Sequence, residues 1–345
     1  MVGMHTVWLK FIVCAAVIFF AGTRIAKYAD VIAEKTGISR LWIGAVLVAA
    51  ATSLPELFTG VGSVVFADAP DLTVGNLLGA NSYNLLNIGI LDLLHRGGPL
   101  LITISSGQLL AAVFSLIPVM LATIAIILLG SGISTWSIGN IGIFSIAIFV
   151  SYCIATRVIY KFEKSKTHSL PAGSESTSTR KYSRYDTISL KKVYTYFAIA
   201  AAAIVASGIW LAYIGRELSE VLRLSQSFTG NLFIGFVTTL PEITVSIAAL
   251  FIGAKEIAVA NMLGSNLFNM TIIFADDILY RKAPILQAIS PRHVWSACVV
   301  VAMTAVIILA MVTGPRRKFF NISWYVPVLF ILFLLGAYIN FVTGR

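Results

Sequence analysis

The chain has 345 residues, of which 58% are hydrophobic and 12% charged, and its mean hydropathy is +0.90. A soluble domain carries about 25% charged residues, so a water-soluble globular fold is excluded and a multi-pass membrane protein is expected. In that setting the formal net charge of +10 points to basic cytoplasmic loops rather than to a nucleic-acid surface.

Apolar runs approaching or exceeding the roughly 20 residues that span a bilayer lie at 7–23, 41–64, 70–94, 107–129, 136–156, 193–214, 227–252, 256–280, 293–313 and 322–342. They predict an all-α membrane protein of ten transmembrane helices. They are too long and continuous for the alternating strands of a β-barrel. The first run contains Lys10, which can snorkel to the interface, and Arg24-Ile25-Ala26-Lys27 follows it. That context predicts a retained span rather than a cleaved signal peptide. With the N-terminus outside, the inner loops hold 18 of the 25 Lys and Arg, nine of them between 157 and 192. Both termini are therefore expected outside and the 157–192 loop in the cytoplasm. Arg281, Lys282 and Arg292 are the outer exception. Cys14, Cys153 and Cys298 fall in separate runs and are expected as small core residues. His5, His95, His168 and His293 fall in loops or at span ends and receive no role.

The second run carries Ala51-Thr52-Ser53-Leu54-Pro55-Glu56-Leu57, and the seventh carries Val237-Thr238-Thr239-Leu240-Pro241-Glu242-Ile243. Gly44 and Gly230 each stand twelve residues before the glutamate. At the next run in each half, Asn76, Gly79, Asn81 and Asn84 match Asn261, Gly264, Asn266 and Asn269. The chain thus divides into a first five-helix repeat (1–156, motif 44–94), a basic, Ser/Thr-rich linker (157–192) and a second repeat (193–345, motif 230–280). An odd number of spans per repeat inverts the two halves. Inverted repeats place a transport site near the midplane, at interrupted helices.

A proline inside a helix removes one backbone hydrogen bond and bends the chain, freeing carbonyl oxygens beside each glutamate. Thr52 and Thr238 share a helix face with the glutamates, and Ser53 and Thr239 share much of it. Ala80 and Asn84, and Ser265 and Asn269, form i,i+4 pairs on the following spans. The inventory is all oxygen, which suits Ca²⁺, or Na⁺ with fewer ligands, and disfavours soft metals. The plain structural reading of the asparagines is an interhelical hydrogen bond, and of the hydroxyls a bond back to the helix. Asp92 and Asp277 also correspond, and with Asp276 they read as hydrated helix ends or vestibule residues.

The paired Thr-Ser-Leu-Pro-Glu and Thr-Thr-Leu-Pro-Glu motifs, with Gly79-Ala80-Asn81 and Gly264-Ser265-Asn266, resemble the two repeats of the calcium/cation antiporter superfamily, closest to prokaryotic sodium/calcium exchangers. The resemblance implies a ten-helix antiporter with ion ligands at Thr52, Ser53, Glu56 and Asn84, and at Thr238, Thr239, Glu242, Ser265 and Asn269. It adds the backbone carbonyls of Ala49 and Gly235. The two glutamates would hold calcium. The chain departs from the family pattern at Ala80, where a hydroxyl is missing, and at Asn269, where an aspartate is usual. The expected function is exchange of Ca²⁺ for Na⁺ across the cell (inner) membrane by a protein acting as a monomer, without cofactor or nucleic acid. The alternatives are exchange of a divalent cation for H⁺, a passive cation channel, and an intramembrane hydrolase; no nucleophile motif accompanies the glutamates to support the last.

Overall fold

The computed structural model describes residues 4–36, 49–133, 136–169, 189–313 and 322–343. Gly44 with the start of its run, the centre of the linker, and Arg316, Arg317 and Lys318 lie outside the described residues. Met4–Thr36, Pro70–Leu94, Ser106–Gly130, Ile143–Ser169, Leu190–Leu222, Lys255–Leu279, His293–Thr313 and Tyr325–Thr343 are continuous helices. Only a helix or a closed barrel satisfies every backbone group inside a bilayer. Among the described residues seven helices are long and apolar enough to cross a membrane, or eight if the bent pair Gln226–Thr238 and Leu240–Phe251 counts as one span. Pro70–Leu94 is also 25 residues long. It is not among the seven, because Asp71, Asn76, Asn81, Asn84, Asn87 and Asp92 dilute its apolar character.

Three boundaries differ from the sequence expectation. The first helix continues to Thr36, Ile143–Ser169 runs past 156 into the linker, and Leu190–Leu222 begins inside it. Hydropathy marks where hydrocarbon ends, whereas helical hydrogen bonding continues into water. The run at 136–156 also opens differently. Ser137–Ile138 and Ile141–Gly142 pair as a short antiparallel hairpin before the helix starts at Ile143, with Gly139 at φ +62° in its turn.

The two motif runs are built from pieces. Ala49–Thr52 and Leu54–Val61 are followed by a π-helical turn at Gly62–Phe66. In the second half Gln226–Thr229, the π-helical Gly230–Ile234, Gly235–Thr238 and Leu240–Phe251 follow one another. Pro55 and Pro241 lie in the first turn of the later piece, where a missing N–H leaves no bond unmade. Ser53 (φ −85°, ψ 10°) and Thr239 (φ −83°, ψ 0°) are the matching break residues. Hydrogen bonding resumes on either side: Ser53 N donates to Ala49 O (3.0 Å) and Leu57 N to Ser53 O (3.2 Å). Thr239 N and Ile243 N repeat the pattern at 3.3 and 3.2 Å. Each break is therefore a bend of the helix, 41° in the second half, rather than an unwound segment.

The halves interlock. Pro70–Leu94 packs on the Gly230–Ile234 turn, and Leu190–Leu222 packs along both Met4–Thr36 and Leu54–Val61. The first of these contacts is backbone on backbone. A Cβ on Gly75 would meet Ser227 O at 2.7 Å, one on Gly230 would meet Leu72 O at 2.5 Å, and one on Gly79 would overlap the backbone of Asn231. Small residues permit such approach where lipid offers no hydrophobic drive to association. One apolar cluster joins helices 70–94, 106–130, 255–279, 293–313 and 325–343, and a second joins 4–36 to 190–222. Lys10 does not simply reach for the interface: its Nζ pairs with Glu217 at 2.8 Å across that second contact. Leu9, Ile12, Phe20, Phe251, Ile331 and Leu334 are exposed, as a lipid-facing surface requires. Cys14 is buried as expected, but Cys153 and Cys298 are exposed on this apolar exterior.

Candidate ion-binding centre

The two bends bring Thr52, Ser53 and Glu56 opposite Thr238, Thr239 and Glu242. All six are buried, both glutamates at 0% exposure. Asn84, Ser265 and Asn269, from the flanking helices 70–94 and 255–279, are also fully buried. The contacts cross between halves. Ser53 Oγ donates to Glu242 Oε1 at 3.1 Å. Thr238 Oγ1 donates to Asn76 Oδ1 at 3.0 Å, and its counterpart Thr52 Oγ1 to Asn261 Oδ1 at 3.4 Å. Thr52 also faces Ser265 Oγ at 3.5 Å. The two carboxylates act on each other electrostatically, so sequence segments 186 residues apart share one site.

What distinguishes this region from a packed core is how much of it is left without a hydrogen-bond partner. Oε2 of Glu242, both polar atoms of the Asn84 amide and Oδ1 of Asn269 have none, and neither oxygen of Glu56 is in a well-formed hydrogen bond, although the Thr238 hydroxyl lies close to that carboxylate. Leaving a buried polar group unsatisfied costs about 1–3 kcal/mol, more if charged, and native interiors hold only a few such groups, seldom several together. Several such oxygens at one place form a ready ligand set for a cation. Among the described residues no three His, Cys, Asp or Glu side chains come together to hold a metal. The charge of the centre is therefore that of the two glutamates, with neutral amides and hydroxyls around them.

The carbonyls of Ala49 and Gly235 lie at the bends as expected, but they are engaged. Ala49 O accepts from Ser53 N and from Thr52 Oγ1 (3.1 Å). Gly235 O accepts from Thr239 Oγ1 at 2.8 Å and from Thr238 Oγ1 at 3.4 Å. Lending a lone pair to an ion requires those hydroxyls to rotate away.

Four further asparagines belong to the centre. Asn261 Nδ2 donates to Glu242 O (3.3 Å) and Ser246 Oγ (3.1 Å). Asn269 Nδ2 donates to Asn81 Oδ1 at 3.2 Å, and Asn266 Nδ2 to Asn81 O at 3.2 Å. Asn76, Asn81, Asn261 and Asn266 match across the repeats, and that repetition was the available signal. Their inward direction depends on how two helices face each other, which no single segment specifies.

Asp92, Asp276 and Asp277 are not hydrated helix ends: each is fully buried. Asp92 Oδ1 accepts from Leu100 N at 2.7 Å and Tyr325 Oη at 2.6 Å. Asp277 accepts from Ile285 N at 2.6 Å and Gly142 N at 2.8 Å. Each carboxylate reaches the backbone eight residues ahead and anchors the turn after its helix. Asp71 and Glu256 form a second matched pair, accepting from Ser290 N (2.7 Å) and Ser105 N (2.8 Å). His293 has a partner too. It is buried at the start of its helix, with Nε2 2.9 Å from Asp71 Oδ1 and 3.1 Å from Ser227 Oγ.

A polytopic helical membrane protein with a buried, oxygen-lined, two-carboxylate centre at two proline bends is thus defined. Residues 6–160 and 192–345 match the sodium/calcium exchanger protein family, and the chain belongs to that family. It is 23% identical over 338 residues to the sodium/calcium exchanger MaX1 of Methanosarcina acetivorans, covering 90% of this chain and 93% of that one. It is 26% identical over 264 residues to the inner membrane protein YrbG of Escherichia coli K12, 76% of either chain. In fold it is similar to the H⁺/Ca²⁺ exchanger CAX (TM-score 0.67, 14% identity, 98% of this chain and 85% of that one). It is likewise similar to the sodium-calcium exchanger NCX_Mj (TM-score 0.57, 19% identity, 96% and 97%). The family is one of exchangers, not of enzymes.

Proposed function

We propose that the protein exchanges Ca²⁺ for Na⁺ across the cell membrane by alternating access, with Glu56 and Glu242 as the calcium ligands. Thr52, Ser53, Asn84, Thr238, Thr239, Ser265 and Asn269, and the carbonyls of Ala49 and Gly235, complete the ion positions. The observation that carries this reading is the convergence of two carboxylates from the two halves with buried oxygens that the protein leaves under-bonded. Two negative charges balance one divalent ion, and six to eight oxygens suit Ca²⁺. The matched contacts of Asp92 with Asp277, Asp71 with Glu256, and Thr52 with Thr238 support ten spans arranged as two inverted five-helix repeats. Lys282 bonds Asp68 at 2.6 Å, joining two loops that the positive-charge distribution assigns to the outer face. That agrees with both termini outside and the 157–192 linker in the cytoplasm.

Exchange follows if the centre crosses between its two openings only when its charge is neutralised, because a ligand shifts a conformational equilibrium only through differential binding. Asn269 and Ala80 favour a second reading, exchange against H⁺, since Asn269 lacks the charge and Ala80 the hydroxyl that a sodium ion would use. Uptake of ⁴⁵Ca²⁺ into proteoliposomes, driven by a sodium gradient or by a pH gradient of equal size, separates the two. Uptake driven by sodium at uniform pH is the expected result. Uptake driven only by the pH gradient would establish the second reading, and conduction without any counter-ion would overturn both.

A further inference from the structure

Asp276 lies outside the ligand set, yet its surroundings are those of a functional carboxylate. It is fully buried on helix 255–279. Oδ2 accepts one hydrogen bond, from Thr73 Oγ1 at 2.5 Å, and Oδ1 has no partner. Its other neighbour is Gly60, one turn beyond Glu56 on helix 54–61. A Cβ at Gly60 would lie 2.5 Å from Asp276 Oδ2, 2.9 Å from Oδ1 and 2.9 Å from Thr73 Oγ1. The carboxylate therefore sits where three helices meet, and each of them carries part of the centre: Glu56, then Asn76 and Asn84, then Ser265 and Asn269.

None of this is repeated in the other half. At the repeat offset, Asp276 corresponds to Leu91, Thr73 to Ala258 and Gly60 to Ser246. The buried Asp92 and Asp277 are matched, and each accepts from the backbone of the turn that follows its helix; Asp276 is unmatched, and the hydrogen bond it accepts comes from a hydroxyl. A packing role does not account for an acid where the counterpart is leucine.

The charges around it are few. Asp277, its neighbour in sequence, faces Gly142 and Ile285 and adds repulsion. Of the helices that pack on 255–279, 54–61 brings Glu56, 240–251 brings Glu242, and 106–130 and 285–288 bring no charge. Helix 70–94 brings Asp71, two residues from Thr73 and paired with His293, and Asp92 at its far end. Helix 143–169 carries its basic residues from Arg157 onward, beyond its apolar stretch. An ionised, uncompensated carboxylate in such a place is costly. Gly60 fills the flank where a metal ion would meet all three oxygens, whereas a proton needs no cavity.

We propose that Asp276, held by Thr73 against Gly60, is a proton-binding site separate from the central glutamates, and that its protonation sets the packing of three ligand-bearing helices on one side of the centre. On the topology proposed above, that side is the outer one. The proton adds to Oδ1 while Thr73 continues to donate to Oδ2.

The transport arm of the test rests on the proposed exchange reaction; a spectroscopic arm does not. With a fixed sodium gradient and fixed inner pH, ⁴⁵Ca²⁺ uptake is followed as the outer pH is varied. The wild type is expected to show a titration step that Asp276→Asn removes, leaving flux flat within about twofold and the calcium half-saturation unchanged. Thr73→Val, which takes away the donor to the ionised form, is expected to move the step upward by about one pH unit. Infrared difference spectra of the purified protein should show a carboxylic-acid C=O band that titrates in the wild type and is missing from Asp276→Asn. An unchanged step and an unchanged band in Asp276→Asn would overturn the proposal. So would a variant whose sodium half-saturation moves while its pH profile does not, which would make this a sodium site. If the wild type carries no Ca²⁺, the exchange reading fails and the infrared titration still decides Asp276. If Asp276→Asn does not fold, the shift in Thr73→Val decides it.

Discussion

At the scale of single residues, the two glutamates were legible because they break a rule. A carboxylate in an apolar run costs several kcal/mol by most measures, and a second copy beside a second proline removes chance as an explanation. The asparagines broke no rule strongly enough to declare their direction. Substituting Glu56→Gln or Glu242→Gln keeps shape and removes charge. Each is expected to lower ⁴⁵Ca²⁺ flux more than about tenfold, since one hydrogen bond to a charged group alone is worth about 1.5–3 kcal/mol. Flux within twofold of wild type in either variant would remove that glutamate from the site. Ser53→Ala takes from Glu242 the hydroxyl that donates at 3.1 Å. A smaller loss, about three- to tenfold, is expected there on the same basis.

At the scale of helices, the site depends on how closely helix 70–94 lies against the bent segment 226–238. Gly79 and Gly89 occupy the same helix and separate this contact from helix propensity. A Cβ at Gly79 would run into the backbone of Asn231, whereas one at Gly89 would touch Leu329 at 3.6 Å and Val326 at 3.7 Å in ordinary contact. Gly79→Ala is expected to cost roughly 3 kcal/mol, the upper end for overpacking, because the neighbour is backbone and cannot turn aside. Gly89→Ala is expected to be neutral or slightly stabilising, as removing an interior helix glycine is. Thermal unfolding in detergent compares them; equal midpoints would show that the close approach does not hold the centre together. The extents of the helices were read less well than their existence. Met4–Thr36, Ile143–Ser169 and Leu190–Leu222 all run on beyond their apolar stretches, because hydrophobicity reports the solvent and not the hydrogen-bond ladder.

At the scale of the whole molecule, two central carboxylates limit the charge that each cycle can move. One Ca²⁺ balanced by two monovalent ions is electroneutral. Clamping the membrane potential of proteoliposomes at different values is therefore expected to change calcium accumulation less than about twofold. One uncompensated charge would instead be worth about 2.3 kcal/mol per 100 mV, on the order of fiftyfold in accumulation. A response of that size would mean that three monovalent ions, not two, move against each Ca²⁺. By itself, the amino-acid sequence determined that this chain lives in a bilayer, that its motif is written twice, and which two acids are costly enough to need a purpose. Those properties are local: they follow from apolar length, from proline and from charge. Only the tertiary structure decided that Asp92 and Asp277 anchor turns, that Asn76 and Asn261 meet the hydroxyls of the opposite half, and that Asp276 stands nearly unpartnered between three helices. Each of those outcomes depends on what faces a side chain across a helix interface. Glu56 and Glu242 could be marked as paired from the sequence, but their shared, under-bonded centre exists only once the two halves interlock.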